Sequence, residues 1–314
     1  MVEGVGEQFS IYRCGQCCLH NIGLLRYDAP SGIDDWPVPG EDGGHGGESS
    51  AHIPREKQES RFEREGSELE RLTGIVGVPP SATIRKVIER GDTIIDLDAT
   101  VSRVNVEAES RLITRYYCAI LRTVLSNALK LPLEEIYIDV GEGKCDGARH
   151  IKEILKRELS IPVIATRNSD SDRRGNPICL SSLPLVEKFE KIVESVELPD
   201  GIKEDFPPSS PVCGFWGVPP RDFELLELFP DSTHVFGWTR CMENKTPSDG
   251  QLELEFDPSV PTVFYAQSFC AKNSIAYYLA HIHPRGFYID GDFSISESTK
   301  AKVEAFLELN GIER

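Results

Sequence analysis

The chemistry this sequence offers rests on nine cysteines: Cys14, Cys17, Cys18, Cys118, Cys145, Cys179, Cys213, Cys241 and Cys270. An odd count does not suit a complete disulfide framework. In a reducing compartment, cysteines at strand ends or in tight clusters serve metal binding or thiolate chemistry; the alternative for each is a small buried hydrophobe. Cys145 and Cys270 each follow a short apolar run and precede a helix-like stretch. A helix N-terminus favours thiolate over thiol, which suits ligation or nucleophilic attack. Asp146 and Glu142 flank Cys145, so Cys145 with Asp146 forms a candidate catalytic pair whose carboxylate handles protons.

Cys213 precedes the loop Gly214-Phe-Trp-Gly-Val-Pro-Pro220, and Cys241 follows Trp238-Thr-Arg240. With Cys270 they are expected at the ends of three neighbouring strands. Three such thiolates suit a [4Fe–4S] cluster with one iron open to substrate. Cys118 sits in an apolar run with Tyr116, Tyr117, Ile120, Leu121 and Val124, and is read as helix core. The segment Cys14-Gly-Gln-Cys17-Cys18 is a separate feature. Its Cys-x-x-Cys spacing is shared by zinc, iron–sulfur and redox sites, and His20 offers a fourth ligand. A second metal or cluster is expected there. Arg103 and Arg240 lie in corresponding Ser-Arg and Thr-Arg loops, where their guanidinium forks suit a carboxylate or phosphate; the alternative is ordinary surface arginine.

The elements that must position these groups repeat. Gly74-Ile-Val-Gly-Val-Pro-Pro80 recurs as Gly214-Phe-Trp-Gly-Val-Pro-Pro220, identical at five of seven positions. Apolar strands then follow in parallel order: Thr93-Ile-Ile-Asp-Leu against Thr233-His-Val-Phe, Ile136-Tyr-Ile-Asp-Val against Thr262-Val-Phe-Tyr-Ala, and Pro162-Val-Ile-Ala against Gly286-Phe-Tyr-Ile. Each copy closes with an amphipathic helix, at 185–193 and 300–307. Short apolar strands alternating with helices predict an α/β fold of two tandem Rossmann-like domains with parallel sheets. An extra helix at about residues 109–130 is expected in the first copy alone. Ligands of such sheets bind beyond the carboxyl ends of the strands, so a cleft between the copies is the expected site. No Gly-x-Gly-x-x-Gly or Walker lysine follows the glycine loops, so a nucleotide fingerprint is absent.

The resulting organisation is a cysteine-bearing head at 1–27, a flexible linker at 28–66, and Rossmann-like domains at 67–205 and 206–314. The linker is rich in Gly, Ser, Pro and charge, a composition that buries too little apolar surface to offset ordering entropy. A formal net charge of −17 opposes nucleic acid and anionic membrane as partners. No run of about eighteen apolar residues and no secretory pattern is present, and a cytoplasmic location is expected.

Two segments carry a family likeness. Ile136-Tyr-Ile-Asp-Val140 with Lys144-Cys145-Asp146-Gly147 resembles the strand–Cys-Asp–helix element of the 2-hydroxyacyl-CoA dehydratase and benzoyl-CoA reductase subunits. Ser210-Pro-Val-Cys-Gly214, Pro219 and Phe223-Glu-Leu-Leu226 resemble that family's strand, loop and helix opening. The likeness implies paired Rossmann-like domains and an iron–sulfur cluster held by strand-end cysteines; the head and linker are not part of the pattern, and the substrate is not carried over. The function expected is an iron–sulfur enzyme or subunit, of lyase or reductase type, acting on a small anionic substrate or cofactor precursor in anaerobic metabolism or cofactor biosynthesis. A protein partner or electron donor fits this scheme. The alternatives are a metal or cluster carrier using the Cys14–Cys18 head, and a metal-free enzyme with a cysteine nucleophile.

Overall fold

Two four-stranded parallel sheets form in the computed structural model, which describes residues 71–99, 112–171, 177–202, 204–247 and 250–312. The head, the linker and Arg103 lie outside the described residues. The first sheet contains β1 (Leu72–Val76), β2 (Thr93–Asp96), β3 (Leu133–Asp139) and β4 (Val163–Thr166), in the order β2-β1-β3-β4. The second contains β5 (Cys213–Trp216), β6 (Thr233–Phe236), β7 (Thr262–Gln267) and β8 (Gly286–Gly291), in the order β6-β5-β7-β8. Every pairing is parallel. The duplication is therefore one of topology as well as of sequence.

An all-parallel sheet forces each connection to cross back over a face, and helices make these crossings. In the first half they are α1 (Ser81–Glu89), α2 (Ala119–Lys130), α3 (Asp146–Glu158) and α4 (Leu185–Ser195). In the second half a 3-10 segment, Phe223–Leu228, takes the place of α1, followed by α5 (Trp238–Asn244), α6 (Gly250–Leu254), α7 (Asn273–Ile282) and α8 (Glu297–Leu309). The expected helix unique to the first copy is corrected here. α5 and α6 fill the same crossing in the second half, because β7 cannot pair parallel to β5 by a direct link from β6.

The repeated glycines have a steric cause. A Cβ on Gly214 would lie 2.4 Å from Thr262 Oγ1, and one on Gly74 would lie 2.8 Å from a Leu97 methyl. Both sit on the central strand of their sheet, where side chains of neighbouring elements close over the backbone. Gly77 has φ +75°, in the left-handed region, and only 3.0 Å separates its Cβ position from the Lys144 ammonium. Pro80 stands just before α1 without a side-chain cap, its carbonyl accepting from the Thr83 N–H at 2.8 Å, and Ile84 and Val87 of α1 turn into the core. In the second copy Asp222 performs the capping, accepting from the Glu224 backbone N–H at 3.1 Å.

Both sheets belong to one compact unit, Arg64–Arg314, and share a core. One buried cluster joins Ile75, Ile84 and Val87 of the first half to Phe215, Val235 and Val263 of the second, with Phe189 and Ile192 of α4 in the same cluster. Phe189 meets Phe215 edge-on at 5.4 Å, so the closing helix of the first copy is also a wall of the second. Polar pins cross the same boundary. Lys245, fully buried with φ +55°, donates from Nζ to the carbonyls of Ser195 (3.0 Å) and Val196 (2.8 Å) at the end of α4. Asn168 Nδ2 donates to the carbonyls of Val78 (3.0 Å) and Lys245 (2.8 Å). Among the described residues no helix is long and apolar enough to cross a membrane.

Asn168→Ala removes the donor that serves both halves and strands two buried carbonyls. We expect it to cost about 1–3 kcal/mol, read as a lower urea midpoint at unchanged slope.

Candidate functional site: a thiol-lined cleft between the halves

The strands of both sheets deliver their carboxyl ends to one cavity of about 790 Å³. Val76, Asp96 and Asp139, at the ends of β1, β2 and β3, line it from the first half; Val218, Trp238 and Cys270 line it from the second. This is where an open parallel sheet presents ligand-binding loops.

Three cysteines reach this cavity: Cys118, Cys145 and Cys270. Cys118 is the residue before α2, and Cys145 the residue before α3. Cys270 follows β7 by a tight turn, its N–H bonded to the Gln267 carbonyl at 3.0 Å. The Cys118 and Cys270 side chains are hydrogen-bond partners. That bond lowers the Cys270 pKa to about 6, helped by the backbone N–H and the ammonium of Lys272 against the opposing effect of burial. The same bond, together with burial, pushes the Cys118 thiol well up. Of the pair, Cys270 is the thiol that ionises more readily.

Two ammonium groups, one from each half, converge on the Trp238 ring. Lys144 Nζ lies 4.2 Å from a Trp238 ring centroid and Lys272 Nζ 4.9 Å, close enough for cation–π attraction. Lys144 is nearly buried, with Asp139 Oδ2 at 3.4 Å. Burial pulls its pKa down, against the upward pull of Asp139 and Asp98. Lys272 grips both Glu253 oxygens at 2.6 and 2.7 Å. Gly77, with no side chain, leaves the space in which Lys144 folds over the end of β1.

A buried acid, Asp96, and a half-buried one, Asp98, complete the floor. Asp98 accepts from the Gly77 N–H, and Asp96 accepts from the Asp98 N–H at 2.9 Å. Arg221, from the second half, donates to the Asp98 carbonyl. Burial raises the pKa of both carboxyls, and for Asp96 the neighbouring Asp98 charge raises it further. Of the two carboxyls, Asp96 is raised the further, while the Gly77 N–H, Lys144 and Arg221 work against the rise at Asp98.

Cys145 and Asp146 lie on the cavity as the sequence places them, with Asp146 opening α3 and pairing with Arg149 at 3.4 Å. Cys213 and Cys241 do not join Cys270 there. Cys213 begins β5 rather than ending it, so it faces the opposite end of the sheet; it is fully buried, its thiol donates to the Gly214 carbonyl at 3.6 Å, and burial pushes its pKa up to about 12. Cys241 lies within α5, fully buried. Arg240 turns from the cavity to Glu243 (3.8 Å) and Glu255 (3.9 Å). Cys118 is corrected in the other direction: the helix begins after it, which places it at the cavity instead of in the core. Cys14, Cys17, Cys18 and Arg103 lie outside the described residues. Among the described residues, no three of His, Cys, Asp and Glu gather closely enough to hold a single metal ion.

The sequence reading missed Cys118, Lys144, Lys272, Asp98 and Arg221. One pattern pointed to the lysines: each lies within two residues of a cysteine that the two copies share. The fold and site define a duplicated Rossmann-like protein with a thiol-lined cleft between its halves. No known protein-family model matches the chain, and no curated protein matches it significantly.

Two outcomes follow. In metal-free protein, iodoacetamide should modify Cys270 with a rate midpoint near pH 6, and Cys118→Ala should move that midpoint upward; mass mapping across pH reads both. For Asp96, a raised native pKa means the burial penalty is absent below about pH 4 and develops as pH rises through the native value. Asp96→Asn keeps an acceptor for the Asp98 N–H and should raise Tm by about 2–4 °C near pH 7.5, the shift that ~1 kcal/mol makes in a body of this size. It should have no such effect near pH 4.

Proposed function

We propose that this chain is an iron–sulfur enzyme, or a subunit of one, that takes a small anionic substrate in the cleft, with a [4Fe–4S] cluster held by Cys118, Cys145 and Cys270. The observation that carries this reading is that these three cysteines, drawn from both halves, line one cavity. A cubane binds each cysteine through a different iron, so its ligands stand further apart than those of one ion. Three thiolates also leave one iron without a protein ligand. The donor set fits in charge as well: Lys144 and Lys272 line the same cavity as the thiols. The partial likeness of the Cys145 segment to the 2-hydroxyacyl-CoA dehydratase and benzoyl-CoA reductase subunits points the same way. When bound, the cluster supplies an electron-accepting centre with an open coordination position. The chain's own residues do the rest. Lys144 holds the anion, Lys272 adds positive charge beside it, and the walls around Trp238 and Ile275 exclude water.

After anaerobic reconstitution the full chain should be brown, with about three to four irons at this site. Cys118→Ser, Cys145→Ser and Cys270→Ser should each lose most of that iron, while Cys213→Ser and Cys241→Ser keep it, as measured by iron and sulfide content and electron paramagnetic resonance. A colourless, iron-free product would overturn the cluster, as would unchanged iron in all three cavity variants.

The low pKa of Cys270 favours a second function, a metal-free enzyme with Cys270 as nucleophile and Cys118 as its hydrogen-bond partner. In that case Cys270 stays the single hyper-reactive thiol after reconstitution. Cluster binding would protect all three cavity thiols from alkylation together.

A further inference from the structure

We infer that the anion taken by this cleft carries a flat apolar body, an aryl carboxylate being the class that fits. This rests on the reading of the cleft as a substrate site. At about 790 Å³ the cavity has the size of pockets that hold whole organic ligands, far beyond an inorganic anion. Its charge and its apolar surface are separated by depth. Lys144 is almost fully covered at the floor, over Gly77 and against Trp238. The rim is aromatic. Tyr116 from the first half and Phe269 from the second meet edge-on at 5.8 Å, both line the cavity, and they remain 60% and 55% exposed.

Such rings are not left open to water without consequence, and both are held where they are. Phe269 has φ +62°, a left-handed conformation that costs a bulky residue energy. Arg115 donates to the Tyr116 hydroxyl at 2.7 Å and lies over its ring, fixing the ring's orientation. A hydrophilic anion such as phosphate or acetate would bind at the ammonium floor and leave both rings wet. A flat apolar body on the same carboxylate would reach the rim and cover them. The rings come from different halves, so the ligand would close the cleft across its boundary.

The test is calorimetric titration of the full chain, reconstituted and iron-free, with phenylacetate, acetate and inorganic phosphate. Phenylacetate should bind at least tenfold more tightly than acetate or phosphate. Phe269→Gly relieves the left-handed strain, so it should fold at least as well as the parent by thermal melting. It should weaken phenylacetate about tenfold and leave acetate unchanged. Lys144→Met should weaken both carboxylates. Equal affinity for phenylacetate and acetate, an unaltered Phe269→Gly variant, or no phenylacetate binding at millimolar concentration would each overturn the inference. Iron content of the same samples keeps the two conclusions apart: selective binding without iron would remove the cluster and leave the aryl site, and iron without selectivity would do the reverse.

Discussion

The cleft exists because two parallel sheets are locked together by buried donors, the Lys245 and Lys188 ammonium groups and the Asn168 amide, each bonded to a carbonyl of the other half. Lys245 places its charge on the last carbonyls of α4, the negative end of the helix dipole, and Asn168 ties its backbone to the end of β1's loop. A buried ammonium is tolerated only where carbonyl oxygens replace water, so these contacts define one arrangement of the halves and penalise others. The aromatic contact of Phe189 with Phe215 fills the space around them. Because each sheet is parallel, fixing the halves at this boundary brings both sets of strand ends together.

Within that frame, repeated sequence serves different ends. Gly77 and Gly217 occupy equivalent positions of the repeated loop. At Gly77 the missing side chain makes room for the Lys144 ammonium; at Gly217 it lets the Tyr265 carbonyl approach, 2.4 Å from where a Cβ would lie. Cys145 and Cys270 likewise occupy equivalent loops but have different surroundings. Cys270 is hydrogen-bonded to Cys118 and to the Lys272 backbone, whereas Cys145 is exposed at the start of α3. The asymmetry centres on Cys118, a first-half residue that reaches the second half's thiol.

The strands and the duplication were legible in the sequence because apolar runs in a parallel sheet are continuous and the glycine loops repeat. What failed were features that depend on direction and on helix starts. Cys213 adjoins a strand, but adjacency does not say which end of it, and a residue at the amino end faces away from the cleft. Cys118 resembled core because its neighbours are apolar. The helix starts after it without a capping side chain, so no Ser, Thr, Asp or Asn marked the boundary. The crossing helices α5 and α6 are short and rich in polar residues, leaving little periodicity to find. Arg240 looked like a cleft residue by analogy with Arg103; its carboxylate partner Glu243 is only one turn further on, and Glu255 is supplied from beyond α6.

The chain is strongly acidic, with a formal net charge of −17, yet the cleft assembles two ammonium groups and an arginine. Their placement explains how an acidic protein could admit an anion. Lys272 is held by both Glu253 oxygens, which orient it and leave little further donor capacity. Lys144 has a single carboxylate contact at 3.4 Å, so its remaining donors can turn to an incoming group. Burial of Asp96 beside the Asp98 charge disfavours its own charged form, which lessens the negative charge facing the ligand. The same low dielectric strengthens whatever charge remains. Attraction therefore depends on the buried floor beneath the rim, where Lys144 acts at short range and the acidic surface is screened by solvent.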